Sequence, residues 1–167
     1  MVTRAPAPTR AARIAVGSDI RHETADAVVR HLEAVGITVV SLGAVGGSDT
    51  PWPEVAELVA RLVAVRSVDQ GVVCCWTGTG VSMAANKVTG IRAALCTDID
   101  TAMGARRWND ANVLALSLAR TDPAEARAIL DAWLSVDCSD ADEAVNIERL
   151  SELERRYGTA AARGRGG

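Results

Sequence analysis

A chain of 167 residues is the size of one ordinary domain and leaves too little for a second of full size. With 49% apolar residues, 23% charged residues and a mean hydropathy of +0.11, it can bury a core, and it is too hydrophobic for an intrinsically disordered chain. A net charge of -3 removes the global attraction on which non-specific binding to nucleic acid or anionic membrane depends, so small-molecule and protein partners are expected instead.

No apolar stretch approaches the roughly 20 residues that a bilayer span requires. The opening MVTRAPAPTRAAR runs straight into strand-like IAVGSD, without the long apolar run of a secretory signal, so a cytoplasmic location is expected. A flexible leader over residues 1–12 and a Gly/Ala-rich flexible tail over 158–167 should frame one domain at 13–157. Cys74, Cys75, Cys96 and Cys138 have neither the density of a disulfide scaffold nor a zinc spacing. They read as reduced thiols, and no metal or cofactor is implied.

In chain order, the apolar run at 13–17 predicts a first strand, followed by a helix over 23–35 that Gly36 stops. A strand at 38–42 leads to a helix over 53–66, and a strand at 71–75 to a helix over 80–87. Strands at 93–96 and 112–117 alternate with helices over 101–107 and 123–134, and a last helix is expected over 141–157. The strand runs are apolar throughout rather than alternating, as expected where helices cover both faces. Strict alternation of this kind predicts an α/β fold, a three-layer α/β/α sandwich on a five-stranded parallel sheet, with ligands at the carboxyl ends of the strands.

Three strand ends could carry chemistry: GSDIRHE from Gly17, CWTGTGVSMAANK from Cys75 and ARRWNDAN from Ala105. The second is the richest. A glycine-dense turn entering a helix presents the amides of Gly78, Thr79, Gly80 and Val81, with the positive helix end behind them, to a phosphate or to an enediolate oxygen. GTG alone is as well explained by a tight strand-to-helix turn. Its neighbours add weight: Cys75 ends the strand as a candidate base, and Thr77 and Ser82 bring hydroxyls. Cys74, Cys96 and Cys138 read as small buried hydrophobes.

The order of these segments, with TPWPEVA from Thr50 and DAWL from Asp131, resembles the ribose-5-phosphate isomerase B and galactose-6-phosphate isomerase family from about Arg13 to Tyr157. The thirteen residues from Cys75 to Lys87 are similar to that family's C-G-T-G-x-G-x-S-x-A-A-N-K, departing at Trp76 and Thr79. The resemblance implies a Rossmann-like sheet of order 2-1-3-5-4, a homodimer or homotetramer with its active site between subunits, and aldose–ketose interconversion. It also implies roles for individual residues. Cys75 would abstract the C2 proton, Thr77 assist proton movement at the sugar oxygens, and Gly78, Thr79 and Gly80 hold the anion. Asp19 would contact the sugar hydroxyls or ring oxygen, and Asn109 would be a polar contact.

Departures from the pattern are equally informative. Ile20 and Trp108 stand where the family carries histidines, and Asp142 and Asn146 fall where phosphate-using members carry arginines. A carboxylate near a dianionic phosphate repels it, so the standard sugar phosphates should bind poorly unless Arg21, His22, Arg106 or Arg107 compensates; these four read better as surface charge. Trp52, Trp76 and Trp108 belong to segments near the expected site and either pack on a sugar's C–H face or fill a subunit interface, while Trp133 reads as core. Lys87 and His31 read as helix-end and surface residues. The expected function is an aldose–ketose isomerase with an altered substrate. A non-catalytic or half-site subunit paired with a second family member is the alternative.

Overall fold

Apolar runs that never alternate become strands walled on both faces, and the computed structural model, which describes residues 12–158, has this arrangement. Among the described residues, β1 (Arg13–Ser18), β2 (Thr38–Gly43), β3 (Gln70–Cys75), β4 (Ala93–Leu95) and β5 (Val113–Ser117) form one parallel sheet of order β2-β1-β3-β5-β4. The helices are α1 (Glu23–Ala34), α2 (Trp52–Ala64), α3 (Thr79–Ala85), α4 (Ile99–Asn109), α5 (Pro123–Leu134) and α6 (Ala144–Gly158). The three-layer sandwich and the sheet order are as expected. The leader and tail lie outside the described residues, apart from Ala12 and Gly158. None of the described helices is long and apolar enough to cross a membrane.

Side chains alternate across the sheet. Ile14, Val16, Val72, Leu114 and Leu116 face α1, α4 and α5, while Ala15, Val73, Val113 and Ala115 face α2 and α3. α2 comes close because Gly17 and Gly71 present no side chain to it: a Cβ on Gly17 would meet Val55 and Val59 at 2.7 Å, and one on Gly71 would meet Val59 at 2.6 Å. Trp133 lies in the core, as expected, with its Nε1 donating to Gln70 Oε1 at 2.6 Å. α6 buries none of its residues and is tied to the rest through Glu154, whose Oε1 accepts from the Gly90 amide at 2.9 Å.

Helix ends differ from expectation by two residues or more at α2, α3, α4 and α6: α2 stops at Ala64 rather than residue 66, and α6 starts at Ala144, after a separate 3-10 turn over Ala141–Glu143. α3 ends at Ala85, short of Lys87, where the chain turns toward β4. α4 starts at Ile99 rather than Thr101, because Asp98 closes a capping box with Thr101, whose amide donates to Asp98 Oδ1 at 2.7 Å. Hydrogen bonding, from Thr101 first and then from Thr97, holds the Asp98 carboxyl below the ordinary range. At its far end α4 also runs further than expected, to a left-handed C-cap at Asp110, so Trp108 and Asn109 form its last turn instead of a loop.

Candidate functional site

β1 and β3 are adjacent and in parallel register, Ser18 opposite Cys74, so the next residue on each places Asp19 beside Cys75 at the carboxyl ends. The two cysteines diverge as alternation requires. Cys74 joins the cluster under α1, α4 and α5, and Cys75 joins the one under α2 and α3. Cys74 is wholly buried, whereas Cys75 retains 6% exposure at the strand end. Burial, reinforced by the charges of Cys75 and Asp19, pushes the Cys74 thiol up to about 12. Burial first, then the charge of Asp98, pushes Cys96 up to about 12 as well, although Thr101 offers it a hydrogen bond.

The turn after Cys75 reverses through Gly78, the one residue there with a positive φ, 73°. A Cβ at Gly78 would lie 2.5 Å from Leu95 Cδ1 and 2.9 Å from the Leu116 carbonyl carbon. Backbone on one side and the left-handed conformation on the other both forbid a side chain. Gly78→Ala is therefore expected to cost about 2–4 kcal/mol, checked by urea unfolding.

The Gly78 amide closes the turn on the Cys75 carbonyl at 3.2 Å and is not free for a ligand, which corrects the expected four-amide cradle. The first bond of α3, from Ser82 N to the Gly78 carbonyl at 3.2 Å, leaves the amides of Thr79, Gly80 and Val81 without intrahelical partners, and no side chain caps them. Thr77 and Thr79 join their Oγ1 atoms at 2.7 Å beside these amides. Ser82 points its hydroxyl elsewhere, donating to the Ala93 carbonyl at 3.4 Å. Trp52, at the start of α2, lies over Gly80, where an added Cβ would meet its ring at 3.1 Å.

Asp19 has one carboxylate oxygen, Oδ1, that is buried and without a hydrogen-bond partner. Burial holds its carboxyl above the ordinary value of 3.8, against a smaller opposing pull from its own amide. Since the folded state binds this proton more tightly than the unfolded state, the group stabilises the fold below that value and loses this contribution as pH rises through the folded pKa. Asp19→Asn should then melt higher than the unaltered protein at pH 7, with the difference closing in acid. A melting series across pH checks both halves.

Two expected contacts are not brought to this place within one chain. Cys75 pairs with Ser117 at the far end of β5, whereas Asn109 precedes the first residue of that strand, Val113. The strand separates them by roughly 13 Å. Trp108 folds back over Gly104 of its own helix, and Asn109 lines a concavity of about 700 Å³ between the 86–94 segment and α6. Lys87 and Tyr157 line the same concavity.

The four candidate compensating groups are all engaged. Arg106 is buried rather than on the surface, donating to the Ala111 carbonyl at 2.6 Å and the Val136 carbonyl at 3.2 Å, with its guanidinium carbon 5.4 Å from the centre of the Trp133 ring. Arg107 pairs with Asp140 at 2.9 Å, and Arg21 with Asp26 at 2.9 Å. His22, half-buried, caps α1, a role that its sequence reading as surface charge missed because histidine is not among the favoured caps. His31, also half-buried, pairs with Asp131 at 2.6 Å. Cys138 is exposed, not the buried hydrophobe expected, because it lies in the link beyond α5. Among the described residues no group of three or more His, Cys, Asp or Glu stands close enough to hold a metal ion.

Residues 14–150 match the family model described as ribose/galactose isomerase. Ribose-5-phosphate isomerase B of Escherichia coli is 36% identical over 141 residues, which is 84% of this chain and 92% of that protein. D-erythrulose-4-phosphate isomerase of Pectobacterium atrosepticum is 32% identical over 145 residues, covering 86% of this chain and 95% of its own. Among solved structures, ribose-5-phosphate isomerase B of Clostridium thermocellum superposes with a TM-score of 0.81 at 34% identity, over 87% of this chain and 99% of that one.

Proposed function

Because this chain belongs to the ribose/galactose isomerase family, we propose that it is an aldose–ketose isomerase, an intramolecular oxidoreductase, whose base is Cys75. The supporting observation is the convergence of Asp19, Cys75 and three uncapped amides at the ends of adjacent strands. In this reading the Cys75 thiolate takes the proton from C2 of the open-chain aldose, and the electron pair moves through the C1 carbonyl to give an enediolate. The amides of Thr79, Gly80 and Val81 hold its anionic oxygen. Thr77 moves a proton between the two sugar oxygens, and Cys75 returns its proton to C1. Asp19 offers its unpartnered Oδ1 to a sugar hydroxyl, while Gly78 shapes the turn.

Trp52 and Trp76 border the substrate from the same chain, and Trp108 and Asn109 reach it from a second copy. The protein then acts as a homodimer or homotetramer with its site at the subunit interface. Relatives named for a five-carbon and a four-carbon sugar phosphate share this scaffold, so the length of the sugar is read by local residues. Here Asp142 and Asn146 replace the expected arginines, and Arg21, Arg106 and Arg107 are engaged elsewhere, which favours a substrate altered away from the standard sugar phosphates. Exchange of the C2 proton in deuterated water, run over aldoses, ketoses and their phosphates, should single out one substrate class. Exchange with none of them would sink the reading.

The separation of Trp108 and Asn109 from Cys75 also supports the half-site alternative, in which a second family member completes the site. Activity of the purified chain alone would eliminate that alternative, and activity only in a mixture would establish it.

A further inference from the structure

Two aromatic rings meet on the α1 side of the strand ends. His22 caps α1 through Nδ1, which accepts the Thr24 amide hydrogen at 3.2 Å. Thr24 is itself fixed, buried and donating through Oγ1 to the Thr121 carbonyl at 2.9 Å. A ring nitrogen that accepts cannot also carry a proton, so neutral His22 keeps its hydrogen on Nε2. The imidazole stands edge-on to Trp76, with ring centres 6.5 Å apart and planes at 76°.

Trp76 hangs from equally fixed backbone. Its carbonyl accepts from Ser117 Oγ at 3.0 Å and from the Ala119 amide at 2.9 Å. Trp76 nevertheless remains 57% exposed. An oriented indole beside a hydrogen-bond donor of fixed tautomer suits a carbohydrate, whose C–H groups pack on the ring while a hydroxyl accepts the hydrogen bond. The neighbouring guanidinium, Arg21, is occupied by Asp26 and the Ala44 carbonyl, so this corner offers a neutral donor and not a free cation.

We infer that His22 is a substrate-binding residue that donates from Nε2 to a hydroxyl of a sugar whose carbon chain lies against Trp76. The inference rests on the isomerase reading for where the substrate sits, and it names the uncharged, polyhydroxylated part of an aldose or ketose as the group recognised here, not a phosphate.

Asparagine is a strong helix cap, so His22→Asn keeps α1 anchored while removing the ring. The variant should melt within ~3 °C of the unaltered protein and bind D-ribose and D-ribose 5-phosphate at least about tenfold more weakly. In the unaltered protein, nitrogen-15 spectra of the imidazole should show the Nε2–H tautomer. The Nε2 signal should move on adding either sugar and stay in place with inorganic phosphate. An Nδ1–H tautomer, an Nε2 signal unmoved by both sugars, or undiminished sugar binding by His22→Asn would each overturn the inference. If the signal moves but no sugar is isomerised, the isomerase reading falls and the binding role stands. Isomerisation with an unmoved His22 overturns only the binding role.

Discussion

Cys75→Ala is expected to lower C2-proton exchange by about 10²–10⁴-fold, while Cys74→Ala and Cys96→Ala leave the rate near that of the unaltered protein. The contrast follows from where each thiol sits. Cys74 and Cys96 are pushed up to about 12 by burial and by neighbouring negative charge, so at neutral pH they stay protonated and cannot take a proton from carbon. Cys138 is exposed but lies in the link beyond α5 and does not end a strand. Only Cys75 ends a strand next to the free amides of α3, and it keeps an opening to solvent that Cys74 lacks. Removing its sulfur from the cluster with Val81 and Ala85 also costs some packing. Melting temperatures must therefore accompany the rates, so that a lost base is not confused with a loosened core. Retention of full exchange by Cys75→Ala, or its loss on Cys74→Ala, would reassign the base.

Much of this architecture was legible because burial on both faces writes itself into sequence: the runs at Val72 to Cys75 and Val113 to Ser117 are apolar without alternation, as strands covered on both sides by helices are, and their regular alternation with longer helical patterns makes the sheet parallel. The glycine turn was legible for a related reason, since Gly78 is forced by a positive φ and by the Leu116 backbone behind it. What stayed hidden depends on partners distant in sequence. The burial of Arg106 is set by carbonyls at Ala111 and Val136 and by the Trp133 ring, none of which any local pattern announces. The cap at His22 escaped because it uses a ring nitrogen where the usual signal is a short oxygen-bearing side chain. The consumption of the Gly78 amide by the Cys75 carbonyl was equally invisible, because a list of amides near a helix start does not say which one the turn itself needs.

Installing arginine at both Asp142 and Asn146 should lower KM for D-ribose 5-phosphate by about 10–100-fold, each new charge-assisted hydrogen bond being worth about 1.5–3 kcal/mol before solvent takes its share. Both side chains are exposed, at and just after the short turn Ala141–Glu143, and Asn146 Nδ2 is held only by Glu143 Oε2 at 2.7 Å. That stretch carries Asp140, Asp142 and Glu143 together, and Arg107 answers only the first of them. Its field therefore opposes a phosphate dianion. Asp→Arg changes the charge by two and Asn→Arg by one, so the double variant moves the chain from -3 to neutral. Asp142→Asn alone, which removes repulsion without adding a donor, should give a smaller gain. Because the site is solvated, the gain should shrink at high ionic strength, where screening acts within about 3 Å at 1 M salt. Unphosphorylated D-ribose is the control, since it has no charge for the new arginines to meet and its KM should not move. An unchanged KM for the phosphate, or an equal change for both sugars, would mean that Asp142 and Asn146 do not reach the substrate of either copy, and the proposed change of substrate would then have to originate at the strand ends themselves.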